Sequence, residues 1–454
     1  MKIRSLLKCA ILMSLLCTAA SQAAEGSQQP NILFFLIDDL GFADCGFNGG
    51  KEIQTPNIDK LAKTGTIIDA HYVQPVCSPT RAALLTGRYA THTGVYTIVK
   101  PHEKWGLPLK ERTLANALKD AGYSTAVVGK WHLGEFKPEY LPTARGFERH
   151  YGHYFGALDY FTHKRGDDLD WYRDGVQLKE EGYTTHLLRD EACRIIEQQP
   201  KNKPLFLYVP FNGVHSPHQV PDSYLKPYGN LSGARQKLAG MLSAVDEAVG
   251  KIIDTLEQTG QRSNTLIIFS SDNGGPPPGD NTPLHGFKGS LWEGGVRAAA
   301  FAHWPGQIPS GVRTKEPMHM IDWYPTLVKL ARGTVEQATP LDGLDVWPML
   351  TQGAPSPHDA ILSVSSPTAA ALRVGDWKLT VNSTQKPESE TGSKTKRKKD
   401  PETRQPVMLH NLAADPGETR NLADAEPERI KAMRAKLDAL LKDAVPPGHL
   451  FVEE

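Results

Sequence analysis

The sequence predicts an α/β protein: a large mixed, mostly parallel sheet flanked by helices, followed by a smaller C-terminal α+β region. Three observations predict it. Short apolar runs alternate with helix-patterned segments through most of the 454 residues, as in a sheet covered on both faces. Those runs lack the in–out alternation of a half-solvated sheet. Toward the C-terminus the pattern changes to closely spaced strands and one terminal helix.

The elements follow in order. Asn31 to Ile37 (NILFFLI) is a continuous apolar strand. Thr55-Pro-Asn-Ile-Asp-Lys-Leu-Ala-Lys-Thr-Gly65 reads as a helix, with threonine at the N-cap, proline at the first helical position and a closing glycine. A short helix is expected from about Ser78 to Leu85, and another from Thr113 to Ala121 before Gly122. Strands follow at Ser124 to Val128, Pro204 to Val209, Thr265 to Phe269 and about Val296 to Ala302. Helices at His186 to Gln198, Ala234 to Gln258 and Asp322 to Ala331 lie between or after them. Ala371 to Val381 and Val407 to Leu412 read as antiparallel strands, and Glu426 to Ala444 as an amphipathic helix. Between those strands, Gln385 to Gln405 is polar and without apolar period, so it reads as an exposed charged loop. Its run Lys394 to Lys399 reads as a solvated insertion rather than a polyanion site.

The N-terminus carries Lys2, Arg4 and Lys8, then an apolar stretch and small residues ending at Ala24, the pattern of a secretory signal peptide over residues 1–24. The expected location is therefore periplasmic or secreted. No later run suits a membrane span. The domain expectation is a catalytic α/β domain over 25–354 and an α+β subdomain over 355–454. Lys+Arg and Asp+Glu are equal at 51 each, so no global field recruits nucleic acid. Of five cysteines, Cys45, Cys77 and Cys193 remain beyond the signal, an odd number that excludes a disulfide scaffold. Cys45 and Cys193 read as structural, with pairing left open.

Ligands of an open parallel sheet bind beyond the carboxyl ends of its strands. The first strand ends in Asp38-Asp39 and the Thr265 strand runs into Asp272-Asn273. If these strands are neighbours, three carboxylates and an amide converge, which suits a hard divalent cation, Ca²⁺ or alternatively Mg²⁺. The Ser124 strand delivers Lys130 and His132, the Pro204 strand His215, and a glycine-rich loop Lys288. With Arg81, this set can bind negative oxygens and move protons, the inventory for phosphoryl or sulfuryl transfer. Cys77 lies at a helix start, where anions are favoured and a thiol pKa would be lowered. A thiolate matches a hard-metal site poorly, however.

The stretch Cys77-Ser-Pro79-Thr-Arg81, with Leu84-Leu-Thr-Gly-Arg88, resembles the C-x-P-x-R…TGR signature of the type I sulfatases. In that family the cysteine is oxidised to formylglycine by a maturation enzyme, which reads in part the proline and arginine. The resemblance implies an alkaline-phosphatase-like fold and metal ligands at Asp38, Asp39, Asp272, Asn273 and the formylglycine at 77. Arg81, Lys130, His132, His215 and Lys288 match its basic active-site residues. Tyr140 to Phe147, Val214 to Pro221, Gly289 to Arg297 and Pro340 to Trp347 resemble the arylsulfatase B (N-acetylgalactosamine-4-sulfatase) branch. The implied substrate is a sulfated saccharide. In the implied chemistry, hydrated formylglycine offers one hydroxyl to attack sulfur and a second, deprotonated by His132, to release sulfate. A formylglycine-dependent phosphodiesterase or phosphonate monoester hydrolase is the alternative. A catalytically dead carbohydrate-binding relative would have lost Cys77, Asp38, Asp272 or Lys130, and all four are present. His150, His153, Tyr154, Asp159 and His163 are either sugar-pocket residues or an ordinary polar loop.

Overall fold

A computed structural model describes residues 29–384 and 404–450. The expected signal peptide and nearly all of the charged loop fall outside the described residues. Ten strands form the main sheet: β1 (Asn31–Ile37), β2 (Thr66–Ile68), β3 (Ser124–Lys130), β4 (Arg149–His153), β5 (Tyr172–Arg173), β6 (Val176–Gln177), β7 (Leu205–Phe211), β8 (Thr265–Ser271), β9 (Ala300–His303) and β10 (Val312–Thr314). Their order is β10-β2-β9-β8-β1-β7-β3-β4-β5-β6. The central strands β8, β1, β7, β3 and β4 are parallel, whereas β9 runs antiparallel to β8.

β1 sits at the middle of this parallel block because both of its faces are apolar. Phe34 and Leu36 belong to one apolar cluster, Phe35 and Ile37 to the other. All four are fully buried, and each such side chain is worth about 1.5–3 kcal/mol relative to exposure. Helices cover the sheet: α1 (Pro56–Lys63), α2 (Cys77–Thr86), α3 (Leu114–Asp120), α4 (Thr184–Gln198), α5 (Gly233–Gln258) and α6 (Trp323–Leu330). A four-stranded antiparallel sheet follows, β11 (Ile361–Ser366), β12 (Ala369–Val374), β13 (Trp377–Thr384) and β14 (Arg404–Asn411), with α7 (Pro427–Leu441) against it. Leu362, Leu372, Leu379 and Leu409 share the cluster that holds Phe34, so the two sheets meet in one apolar core.

Several expectations shift. The expected strand from Val296 is a helical turn at Glu293–Val296 followed by a strand beginning only at Ala300. Only Ala300 to His303 find ladder partners on β8, and Arg297 and Ala298 bond instead toward Asp69 and His71. Ala371 to Val381 is not one strand but a hairpin, β12 to β13, turning at Gly375 with φ 56°. Thr55 stands at the N-cap of α1 without capping it, because its hydroxyl accepts from Gly46 N at 3.1 Å. Cys45, Cys77 and Cys193 are all free and buried.

Candidate active site

The register of the central strands assembles the site. Ile37 pairs with Ser271, so the next residues, Asp38 and Asp272, leave neighbouring strands side by side. Asp39 then takes a left-handed conformation, φ 64°, uncommon for a residue with a Cβ. This turn brings its backbone N–H to Asp272 Oδ1 at 3.2 Å. Asn273 donates from Nδ2 to Asp39 Oδ1 at 2.7 Å, while its own Oδ1 is buried with no hydrogen-bond partner among the described residues.

Helix α2 brings Cys77 and Arg81 to the same place. They are four residues apart and therefore share one helix face. Gly87 closes the helix in the left-handed region at φ 66°, donating to Ala83 O. The Cys77 thiol donates to Asp38 Oδ1 at 3.4 Å. Arg81 donates to Asp272 Oδ2 at 2.7 Å and to Lys130 O at 3.0 Å, and lies 3.8 Å from Asp38 Oδ1. Lys130, the last residue of β3, reaches Asp38 Oδ2 at 2.6 Å. Lys288 sits 2.9 Å from Asp39 Oδ1 and 3.1 Å from Oδ2. His215 Nε2 lies 3.6 Å from Asp39 Oδ2, and its Nδ1 is 2.6 Å from Ser216 O. His132, also left-handed at φ 59°, is buried, and its carbonyl accepts from Ser78 Oγ at 2.8 Å. Nine of the ten expected site residues are thus joined through side-chain contacts, and His132 through its main chain.

The electrostatics differ from the sequence expectation at one point. Burial, reinforced by Asp272 and Asp38, pushes the Cys77 thiol well above its ordinary range. The helix N-terminus does not lower it, because complete burial beside two carboxylates outweighs a half-charge dipole. Burial and the nearby Asp272 also raise Asp38 to about 6. Burial opposes ionisation of Asp272, but Arg81, Lys130 and Lys288 hold its pKa below the usual carboxylate value. Burial alone would lower Lys130, yet Asp38 and its other anionic neighbours raise it on balance. Three carboxylates face three side-chain cations, so a divalent ion would turn a balanced site positive.

The residues fit such an ion. One ligand atom from each of Asp38, Asp39, Cys77 and His215 lies within 4.8 Å of the others, and the orphaned Asn273 Oδ1 supplies a further hard oxygen donor. Asp272 instead has both oxygens engaged, one by Asp39 N and one by Arg81. His215, expected as a proton carrier, stands within the ligand cluster.

Some residues the sequence left without a role support the site. Tyr160 Oη lies 2.5 Å from Asn212 O and 2.7 Å from His215 O, which fixes the loop bearing His215. Gly156 packs directly under the His132 ring. Neither carries a local motif. Conversely, His150, His153, Tyr154 and His163 are interior residues, with His163 stacked on Trp171 at 4.6 Å and His150 on Tyr154 at 5.0 Å. Asp159 caps a turn, accepting from Phe161 N and Thr162 N.

A mixed sheet whose strand ends gather acidic, amide and basic side chains round a buried Cys77 defines a hydrolase of anionic esters. Residues 30–334 match the Sulfatase family model. Arylsulfatase J of Mus musculus is 37% identical, the alignment covering 93% of this chain and 77% of that protein. N-acetylgalactosamine-6-sulfatase of Sus scrofa is 32% identical, covering 92% and 87%. The crystal structure of Ps i-CgsB in complex with k-i-k-neocarrahexaose superimposes with a TM-score of 0.83 at 33% identity, covering 92% of this chain and 94% of that one. The chain belongs to the sulfatase family, and it is a sulfuric ester hydrolase.

Proposed function

We propose that the chain hydrolyses a sulfate ester on a sulfated carbohydrate, using a formylglycine made from Cys77 and one divalent cation, Ca²⁺ or Mg²⁺. The observation that carries this reading is the state of Cys77. A fully buried thiol pushed far up its pKa range is a poor nucleophile, yet it lies within 4.8 Å of ligand atoms of Asp38, Asp39 and His215. Conversion to a hydrated aldehyde puts two hydroxyls on one carbon there, one to attack sulfur and one to release sulfate.

This chain's residues divide the remaining work. Asp38, Asp39, Asn273 and residue 77 would hold the cation, with Asp272 completing the set. Lys130 and Lys288, each within about 3 Å of a site carboxylate, set the positive field that receives the sulfate oxygens. Arg81 neutralises Asp272 and anchors the Lys130 main chain. His215 stabilises or protonates the departing sugar oxygen, and His132 removes the proton from the second hydroxyl. The names of the relatives support an N-acetylgalactosamine sulfate or a saccharide of the neocarrahexaose kind as the substrate. We place the protein as exported on its N-terminal sequence; among the described residues no helix is long and apolar enough to cross a membrane. Residues 25–354 are assigned to catalysis and 355–454 to the subdomain.

The test is expression with a formylglycine-generating enzyme, mass spectrometry of the Cys77 peptide, and kcat/KM on 4-nitrophenyl sulfate and phosphate. Conversion with faster sulfate turnover supports the reading. Faster phosphate turnover assigns the protein to the phosphodiesterase alternative. A panel of defined sulfated saccharides then identifies the sugar.

A further inference from the structure

Asn281 lies between three loops of the site and bonds to all of them. It is 8% exposed, and its Oδ1 accepts from Phe42 N at 3.2 Å and from Gly275 N at 3.0 Å. Its Nδ2 donates to Gly275 O at 2.7 Å and to Gly286 O at 3.2 Å. Phe42 lies three residues after Asp39, Gly275 two after Asn273, and Gly286 two before Lys288. One amide thus ties the loop of the first aspartates, the loop of Asp272 and Asn273, and the loop of Lys288.

The packing round it leaves little slack. A Cβ on Gly275 would fall 2.7 Å from both the N and Cα atoms of Gly41, so these two loops touch backbone to backbone. The neighbouring Asp280 is docked as well: its O accepts from Ala43 N at 2.8 Å, and its N donates to Asp44 Oδ1 at 3.2 Å. Asp44 in turn accepts from Gly41 N at 3.0 Å and pairs with Arg235 at 2.5 Å. A side chain with two acceptor sites and two donor hydrogens meets every requirement at this junction. Aspartate would keep the acceptor side and lose the donors, and alanine would lose both.

We propose that Asn281 is a positioning residue that sets the separation between the cation-binding carboxylates and Lys288. This rests on the reading of the site given above. Its acceptor half fixes the two loops carrying Asp38, Asp39, Asp272 and Asn273, and its donor half ties the Gly275 carbonyl and the Lys288 loop to them. The two halves therefore affect different properties. Loss of the acceptor bonds weakens cation affinity, and loss of the donor bonds alone weakens sulfate-ester turnover.

The experiment compares Asn281→Ala and Asn281→Asp with the wild type as full-length, formylglycine-converted protein. Each is stripped with EDTA and titrated calorimetrically with Ca²⁺ and Mg²⁺; peptide hydrogen exchange is followed over 38–44, 272–276 and 285–289. Asn281→Ala is expected to weaken cation binding by about tenfold or more and to speed exchange in all three peptides. Asn281→Asp is expected to keep cation affinity within about threefold, to speed exchange in 272–276 and 285–289 but not in 38–44, and to lower kcat more than it raises KM. A purely structural role lowers thermal stability while leaving cation affinity, local exchange and kcat/KM of the folded protein within about twofold, and that result overturns the proposal. Should Asn281→Ala fail to fold, Asn281→Asp decides, because it predicts faster exchange in 272–276 and 285–289 and not in 38–44. A wild type that binds the cation but does not turn over aryl sulfate refutes the proposed function; the exchange and titration comparison still decides the role of Asn281.

Discussion

Gly156→Ala tests whether His132 acts in sulfate release. A Cβ built on Gly156 meets Cε1 and Nε2 of His132 at 2.5 Å each. Unstrained carbon contacts begin near about 3.5 Å, so the ring must retreat by about 1 Å. The residue as a whole cannot follow, because His132 is 3% exposed, left-handed at φ 59°, and donates from its N–H to Tyr154 O at 3.0 Å. The displacement therefore falls on the imidazole. Misplacing a catalytic group by about 1 Å costs on the order of 10²-fold, or about 2.7 kcal/mol of barrier. The added methyl should cost about 1–3 kcal/mol of stability, as overpacking does. In rapid-mixing assays with 4-nitrophenyl sulfate, the variant should release about one 4-nitrophenol per converted site at near wild-type rate. Steady turnover should then be about 100-fold slower. A folded, converted variant with steady turnover within about threefold of wild type, or with both phases slowed equally, refutes the role.

Chelation should abolish turnover, and the cation that restores it, Ca²⁺ or Mg²⁺, is read by calorimetric titration of the stripped protein alongside activity. Lys378 is buried between Glu293 Oε1 at 3.0 Å and Glu418 Oε1 at 2.9 Å, so Lys378→Met leaves Glu418 without its ion-pair partner and Glu293 with Arg297 at 3.6 Å, and should cost about 3–5 kcal/mol in guanidinium unfolding. Adding Glu418→Gln should recover at least about 1 kcal/mol of that loss, and a purely additive double mutant would refute the pairing. His71 is buried, and its Nε2 accepts from Trp323 Nε1 at 3.1 Å, which requires the neutral ring. Burial lowers its pKa from 6.5 to about 3. The unfolded chain then binds a proton that the folded chain refuses, so stability falls as pH drops below 6.5 toward that value. His71→Gln should remove about 2 kcal/mol of the stability change between pH 6.5 and 5, measured by denaturant unfolding at each pH; an unchanged pH slope refutes it.

The parts legible in the sequence were those governed by local pattern. β1 has the bounds its apolar run predicts, and β3, β7 and β8 begin within one residue of their expected starts. Strand ends deliver Asp38, Lys130 and Asp272 because a parallel sheet fixes where its loops emerge. What failed depended on tertiary partners. Residues 296–299 run unbroken into the apolar strand segment, but the strand begins only where β8 offers a ladder. β11 escaped notice because Ile361 to Ser366 gain their identity from pairing with β12. The Cys77 pKa ran opposite to expectation because helix position is local, whereas burial and the approach of Asp272 and Asp38 are not. Asn281 stood in a proline- and glycine-rich stretch that reads only as a loop; its role exists through partners at 42, 275 and 286.

Under the proposed conversion of Cys77, the burial of helix α2 also implies an order of events in the making of this protein. Every residue from Cys77 to Thr86 is inaccessible in the folded chain, including Pro79 and Arg81. An enzyme that must grip this segment to oxidise Cys77 can meet it only while the chain is still extended. Conversion and folding are then competitors in time, and a molecule that folds first is sealed with its thiol intact. Late addition of the maturation enzyme to folded protein should leave that fraction inert, whereas the same enzyme supplied during synthesis should raise it. On that proposal, the yield of active protein is set by the relative speeds of two processes before any substrate arrives.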